Sequence, residues 1–134
     1  MTITNVGDYL KNHGIKPSLQ RIKIFEYLIK YMNHPTVDMI YKELAKEIPT
    51  LSKTTVYNTL NLFIKKSIVK VITIEENEVR YDADISLHGH FKCEVCGKIY
   101  DFSLDNVHLK NDMLKDFETK ERHVYFKGKC KSCI

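Results

Sequence analysis

The sequence predicts an α+β chain of two lobes: a helical first half closed by a β-hairpin, then a smaller mixed lobe built around cysteines. Three observations predict it. Apolar residues recur with helical period between residues 6 and 66, in runs opened by Ser or Thr and closed by Gly or Pro. From Ile68 the pattern becomes β-branched and extended. All four cysteines lie beyond that point, in two pairs of equal spacing, Cys93–Cys96 and Cys130–Cys133.

The elements follow in order. Val6, Tyr9 and Leu10 make a short helical stripe, with Gly14 placed to end it. Ser18 caps a second helix whose apolar side runs Leu19, Ile22, Phe25, Leu28 and Ile29. His34-Pro35 breaks the chain, and Thr36 caps a third helix with Val37, Ile40, Tyr41, Leu44 and Ile48 on one side, ended by Pro49. Ser52 caps a fourth helix to about Lys66, with Val56, Leu60, Phe63 and Ile64 facing inward. Ile68–Ile74, the polar turn Glu75–Glu78 and Val79–Tyr81 then read as a hairpin. Helices followed by a hairpin in this order make a winged helix-turn-helix over residues 1–82. In residues 83–134, strands are expected at about His90–Lys92, Ile99–Phe102 and Val124–Lys127, with a helix over Leu104–Phe117.

Composition narrows the function classes. No apolar run is long enough to span a bilayer, and no secretory pattern opens the chain, so the expected compartment is the cytoplasm. The chain carries +4 at neutral pH, and its distribution is uneven: 11 Lys/Arg face 7 Asp/Glu in residues 1–76, against 10 of each in 77–134. A basic helical lobe attracts an anionic polymer, although an ordinary solvated surface reads the same way on charge alone.

Two clusters carry chemistry. A Cys-x-x-Cys turn places two thiolates on one metal, and two such turns complete a closed tetrahedral shell, so Cys93, Cys96, Cys130 and Cys133 point to structural zinc. Redox or merely buried thiol pairs are the alternative. The second cluster is His34, Asp82, His88, His90 and Asp101. In an extended strand His88 and His90 point to one face, and mixed imidazole and carboxylate donors suit iron, manganese or zinc. Spacing alone does not bring these five together; each also reads as a surface or turn residue.

Taken in order, Gln20-Arg21, His34-Pro35-Thr36-x-Asp38-x-Ile40-Tyr41, Thr55-Val56-Tyr57, Arg80-Tyr81-Asp82, His88-x-His90 and both cysteine pairs resemble the ferric uptake regulator family of metal-dependent repressors. The resemblance spans nearly the whole chain. It implies a winged-helix DNA-binding domain, a small α/β dimerisation domain with a four-cysteine zinc site, and a homodimer on a palindromic double-stranded DNA operator. It implies one structural Zn2+ per subunit on the four cysteines, and one regulatory Fe2+ or Mn2+ per subunit at His34, Asp82, His88, His90 and Asp101. The family's peroxide-sensing branch carries an aspartate where Asp101 stands, whereas iron sensors usually carry glutamate. The expectation is therefore a repressor that senses hydrogen peroxide when bound iron oxidises a ligand histidine, His34 or His88. An iron- or zinc-responsive uptake regulator is the alternative. Two departures stand out: Ser18-Leu19 replace a common Thr-Pro, and Arg122, beside His123, occupies the position of a histidine that many members use for a further metal site.

The DNA contacts follow from the helix-turn-helix reading. The N-terminal turns of the Ser52–Lys66 helix offer Lys53, Thr54, Thr55, Tyr57 and Asn58 outside its apolar face, the part that reaches base edges in a major groove. Arg21 is expected on a phosphate. The competing classes are a thiol redox enzyme, a zinc hydrolase and a zinc-ribbon interaction module. The chain lacks the H-E-x-x-H arrangement of one large hydrolase class, and the reading is of a regulator rather than an enzyme.

Overall fold

The computed structural model describes residues 3–75, 77–104 and 111–134. The chain divides into two compact units, Met1–Ile85 and Ser86–Ile134.

In the first unit, α1 (Val6–Asn12), α2 (Leu19–Tyr31), α3 (Val37–Leu44) and α4 (Lys53–Lys65) precede β1 (Lys70–Ile72) and β2 (Arg80–Asp82). Each helix starts on a side chain that accepts a backbone N–H three residues on: Asn5, Ser18, Thr36 and Ser52. Gly14 (φ 75°) follows α1 in the left-handed region that ends helices. The buried faces meet in one core, where Phe25 and Phe63 lie edge to face at 5.5 Å among Leu10, Ile24, Leu28, Ile40, Val56 and Leu60. β1 and β2 pair antiparallel with Val71 opposite Tyr81, closing the expected hairpin; Glu76 lies outside the described residues.

Two details differ from expectation. α3 stops at Leu44, and Ile48 reaches the core through a turn in which the N–H groups of Glu47 and Ile48 both donate to the Leu44 carbonyl. The apolar period thus continues past the end of the helix. Leu19 is 63% exposed, because the first turn of α2 projects beyond the core.

In the second unit, β3 (His88–Cys93), β4 (Ile99–Ser103) and β5 (Tyr125–Gly128) form a sheet in the order β4-β3-β5, with β3–β4 antiparallel and β3–β5 parallel. The helix expected over 104–117 is corrected in its described part. Only a 3-10 turn, Asp112–Leu114, forms there, started by Asn111, and Met113, Leu114 and Phe117 are exposed. Met113, Leu114 and Phe117 bury no apolar face among the described residues, and a short helix without such packing is not stable. Val107, Leu109 and His108 lie outside the described residues. No helix among the described residues is long and apolar enough to cross a membrane.

Candidate metal centres and nucleic-acid face

The parallel pairing of β3 with β5 answers how cysteines so far apart in sequence meet. Cys93 stands opposite Gly128, and the Glu94 N–H donates to the Gly128 carbonyl at 2.7 Å, so β5 delivers Cys130 beside Cys93. Each pair closes a tight knuckle, with Gly97 N–H on the Cys93 carbonyl and Cys133 N–H on the Cys130 carbonyl. Gly97 (φ 77°) has open space around a would-be Cβ, so glycine is required there for its backbone and not for room. The four sulfurs lie within 4.8 Å of one another, with Cys96 Sγ and Cys130 Sγ 3.9 Å apart. A tetrahedral zinc with bonds of about 2.3 Å needs sulfurs roughly 3.8 Å apart, so this donor set fits zinc in type and size. The N–H groups of Cys96 and Cys130 both point at Cys93 Sγ, and hold its thiol at about 6, well below the ordinary value of 9.0. The hydroxyl of Tyr100 lowers the Cys130 thiol in the same way.

The imidazole and carboxylate candidates fall into one group per unit. In the second unit, His90 sits directly across the ladder from Asp101, and the Nε2 atoms of His90 and His88 lie 3.4 and 3.7 Å from the same Asp101 oxygen. The two rings are 4.6 Å apart on one face of β3, as strand periodicity predicts. His88 Nδ1 is 2.8 Å from the Ser86 carbonyl, which can only accept; the ring proton therefore sits on Nδ1 and Nε2 is left as a ligand atom. Between the two histidines, Gly89 lies on the other face beneath the Phe102 ring, where a Cβ would come within 2.2 Å of it.

In the first unit, His34 and Asp82 are both buried, with Nε2 and Oδ2 3.6 Å apart. The other Asp82 oxygen accepts the Asp84 N–H at 2.8 Å, which turns Oδ2 toward the imidazole. Each group offers nitrogen and carboxylate oxygen, the donor chemistry of a divalent transition metal. Glu121, His123 and Tyr125 form a separate surface string, with the Tyr125 hydroxyl 3.0 Å from His123 Nδ1. His123 is thus better anchored than a plain surface residue.

On the first unit, Lys53, Thr54, Tyr57 and Asn58 are exposed along α4, and Thr55 is half-buried with its hydroxyl 3.0 Å from Ser52 Oγ. Arg21 donates to the Lys16 carbonyl at 2.9 Å and borders a cleft that Lys16, Gln20, Thr55 and Asn58 also line. Of the residues lining this cleft, Arg21, Thr55 and Asn58 were expected at DNA; Lys16 was not, and Gln20 stood only in the Gln20-Arg21 pair of the family pattern. Lys53 is engaged by Asp38 of α3 at 2.8 Å, which also pairs with Lys42, and this holds the Asp38 carboxyl below its usual range.

Comparison with known proteins agrees with this architecture. Over 127 residues the chain is 39% identical to the peroxide operon regulator of Bacillus subtilis, covering 92% of this chain and 88% of that one. It is 37% identical over 127 residues to the peroxide-responsive repressor PerR of Staphylococcus epidermidis, covering 92% and 85%. The crystal structure of the Vibrio cholerae ferric uptake regulator, in which rearrangement of DNA-binding domains is described, superposes with a TM-score of 0.76 at 27% identity, covering 94% of this chain and all of that one. Residues 12–132 match the family profile itself, and the chain belongs to the ferric uptake regulator family.

Proposed function

We propose that this chain is a metal-dependent, DNA-binding transcriptional repressor that responds to hydrogen peroxide, acting in the cytoplasm as a homodimer and not as an enzyme. The observation that carries the reading is Asp101 facing both His88 and His90 in a chain whose relatives are peroxide regulators. Cys93, Cys96, Cys130 and Cys133 would hold one structural zinc per subunit. His34, Asp82, His88, His90 and Asp101 would together hold one regulatory Fe2+ or Mn2+. Two donors in one unit and three in the other are each too few for a full shell, which favours a single ion drawing on both. Bound ferrous iron supplies one-electron chemistry toward peroxide that manganese and zinc do not. His34 and His88 are the imidazoles that would take up the oxygen, and either loss removes a nitrogen donor from the set.

Residues 1–82 would bind DNA, with Lys53, Thr54, Thr55, Tyr57 and Asn58 at the major groove and Arg21 on a phosphate. Residues 83–134 would pair with a second copy. That role is supported by the edge position of β5 and by exposed Phe126, Met113, Leu114 and Phe117. A two-fold dimer reads a palindromic operator.

The test is mass spectrometry of the iron-loaded protein after peroxide. Peptide 31–42 or 81–92 should gain one oxygen, and the manganese form should not. Met32 and Met39 share a peptide with His34, so fragment spectra must place the oxygen on the imidazole. Iron-loaded protein that releases DNA on peroxide treatment with both histidines unmodified overturns the oxidation route. Iron-loaded protein whose DNA binding ignores peroxide altogether makes it an uptake regulator of the same family.

A further inference from the structure

The chain leaves α2 through two non-glycine residues in the left-handed region, Met32 (φ 47°) and His34 (φ 53°). Such backbone persists only where its surroundings hold it. The holding groups come from β2, far along the chain. Arg80 Nη1 donates to the His34 carbonyl at 3.0 Å, and the Tyr81 N–H donates to the Pro35 carbonyl at 3.0 Å. Arg80 and Asp82 are two apart on one strand, so both reach the same segment: the guanidinium takes the His34 carbonyl, and the carboxylate faces its ring at 3.6 Å.

Arg80 is itself fixed. Its Nε donates to the Glu75 carboxylate, and the two side chains are only 18% and 15% exposed. Glu75 lies in the hairpin between β1 and β2. The planar guanidinium donates in two directions from one rigid group, which a flexible ammonium cannot reproduce. Hairpin, strand and the His34 backbone are therefore joined through a single side chain.

We propose that Arg80 is a positioning residue: by tying Glu75 to the His34 carbonyl it sets the orientation of the His34 imidazole and links that ring to the hairpin of the DNA-binding unit. The proposal rests on the reading of His34 as a regulatory-metal ligand. It assigns Arg80 no contact with metal or DNA.

The experiment uses full-length, zinc-replete protein with the variants Arg80→Lys, Glu75→Gln and His34→Ala. Imidazole cross-peaks are recorded by NMR without regulatory metal, and Mn2+ affinity is measured by the electron paramagnetic resonance of the free ion. In Arg80→Lys the His34 cross-peak should shift or split while those of His88 and His90 stay in place. Mn2+ affinity should fall about 10- to 100-fold, with zinc content and helix melting unchanged. Glu75→Gln should move both readouts the same way, by less, and it decides the question if Arg80→Lys does not fold. An unmoved His34 cross-peak with unchanged Mn2+ affinity, in protein whose His34→Ala variant loses Mn2+, overturns the proposal. If His34→Ala keeps its Mn2+ affinity, the ligand reading fails. Arg80 is then judged on the cross-peak alone: a shift supports positioning of the ring, and no shift overturns it.

Discussion

Replacing Cys96 by serine separates the contribution of a metal ligand from that of packing. Cys96 is exposed, so the change from sulfur to oxygen costs almost nothing in buried volume, while a hard neutral hydroxyl is a poor zinc donor. What remains to hold the second unit is slight. Every member of the main apolar core lies within residues 6–83, and the buried described residues of the second unit are Gly89, His90, Cys93 and Cys130. The stacked Phe102–Phe126 pair, 5.0 Å between centroids, adds only about 0.5–1.5 kcal/mol beyond its area. Zinc bound by a thiolate shell contributes on the order of 10 kcal/mol or more to folding. The metal therefore dominates, and Cys96→Ser should strip zinc and unfold β3, β4 and β5 while α1–α4 stay folded. Hydrogen exchange read peptide by peptide, with zinc counted by a chromophoric chelator, tests this. Strand amides that stay protected in zinc-free Cys96→Ser protein would show that the sheet holds without the metal.

Tyr57→Ala should weaken operator binding by about 1–3 kcal/mol, on the order of 10- to 100-fold, with zinc and manganese content unchanged; a DNA titration equal to wild type removes α4 as the reading helix. Acid should release the zinc, because protons compete with it for the thiolates. The N–H groups of Cys96 and Cys130 hold the Cys93 thiol down at about 6, whereas the hydrogen bond to Cys130 pushes Cys133 up to about 12, so protons compete first at Cys133, and Cys93 is the ligand protonated last, as pH falls through about 6. Zinc content unchanged on acidification well below that value contradicts the thiolate assignment. Thr36→Ala removes the cap bond to Met39 N–H and should lower stability by about 1 kcal/mol in urea melts of the first unit, with no change in zinc content. An unchanged midpoint would mean that the bond is made by water as well as by the hydroxyl.

The first unit was legible because its signals are local. Ser18, Thr36 and Ser52 each satisfy a backbone N–H three residues away, a distance that the sequence displays directly. Where α3 stops was not legible, since Ile48 keeps the helical phase while the backbone has already turned. The Cys-x-x-Cys spacings announced a closed thiolate shell, but not the parallel register that puts Cys93 opposite Gly128, because strand pairing across such a separation leaves no periodic trace. His88 and His90 were legible as a pair through strand alternation. The bond from Arg80 to the His34 carbonyl was not: it spans 46 positions and depends on a left-handed backbone that no residue type enforces. In residues 111–117, the described part of the Leu104–Phe117 expectation, the spacing misled for a different reason. Periodicity reports that apolar residues share a face, and says nothing about whether the same unit supplies what covers it.

β3 ties the two metal readings together and makes them unequal. Alternation puts His88 and His90 on one face and Gly89, Phe91 and Cys93 on the other, so a single strand would serve both proposed sites from opposite sides. Its register against β5 is fixed at the Cys93 end, and the same ladder runs back to His90 opposite Tyr125. Loss of zinc would free that end and with it the spacing of both imidazoles from Asp101. Loss of the proposed regulatory ion would leave the thiolate shell in place. The dependence should accordingly run one way: His90→Ala abolishes manganese binding and keeps zinc, whereas Cys96→Ser loses both. Metal analysis of the two variants after dialysis against manganese decides it. Zinc-free protein that still takes up one manganese per subunit would show that the strand is ordered by the rest of the sheet, and that the thiolate shell is not what positions the histidines.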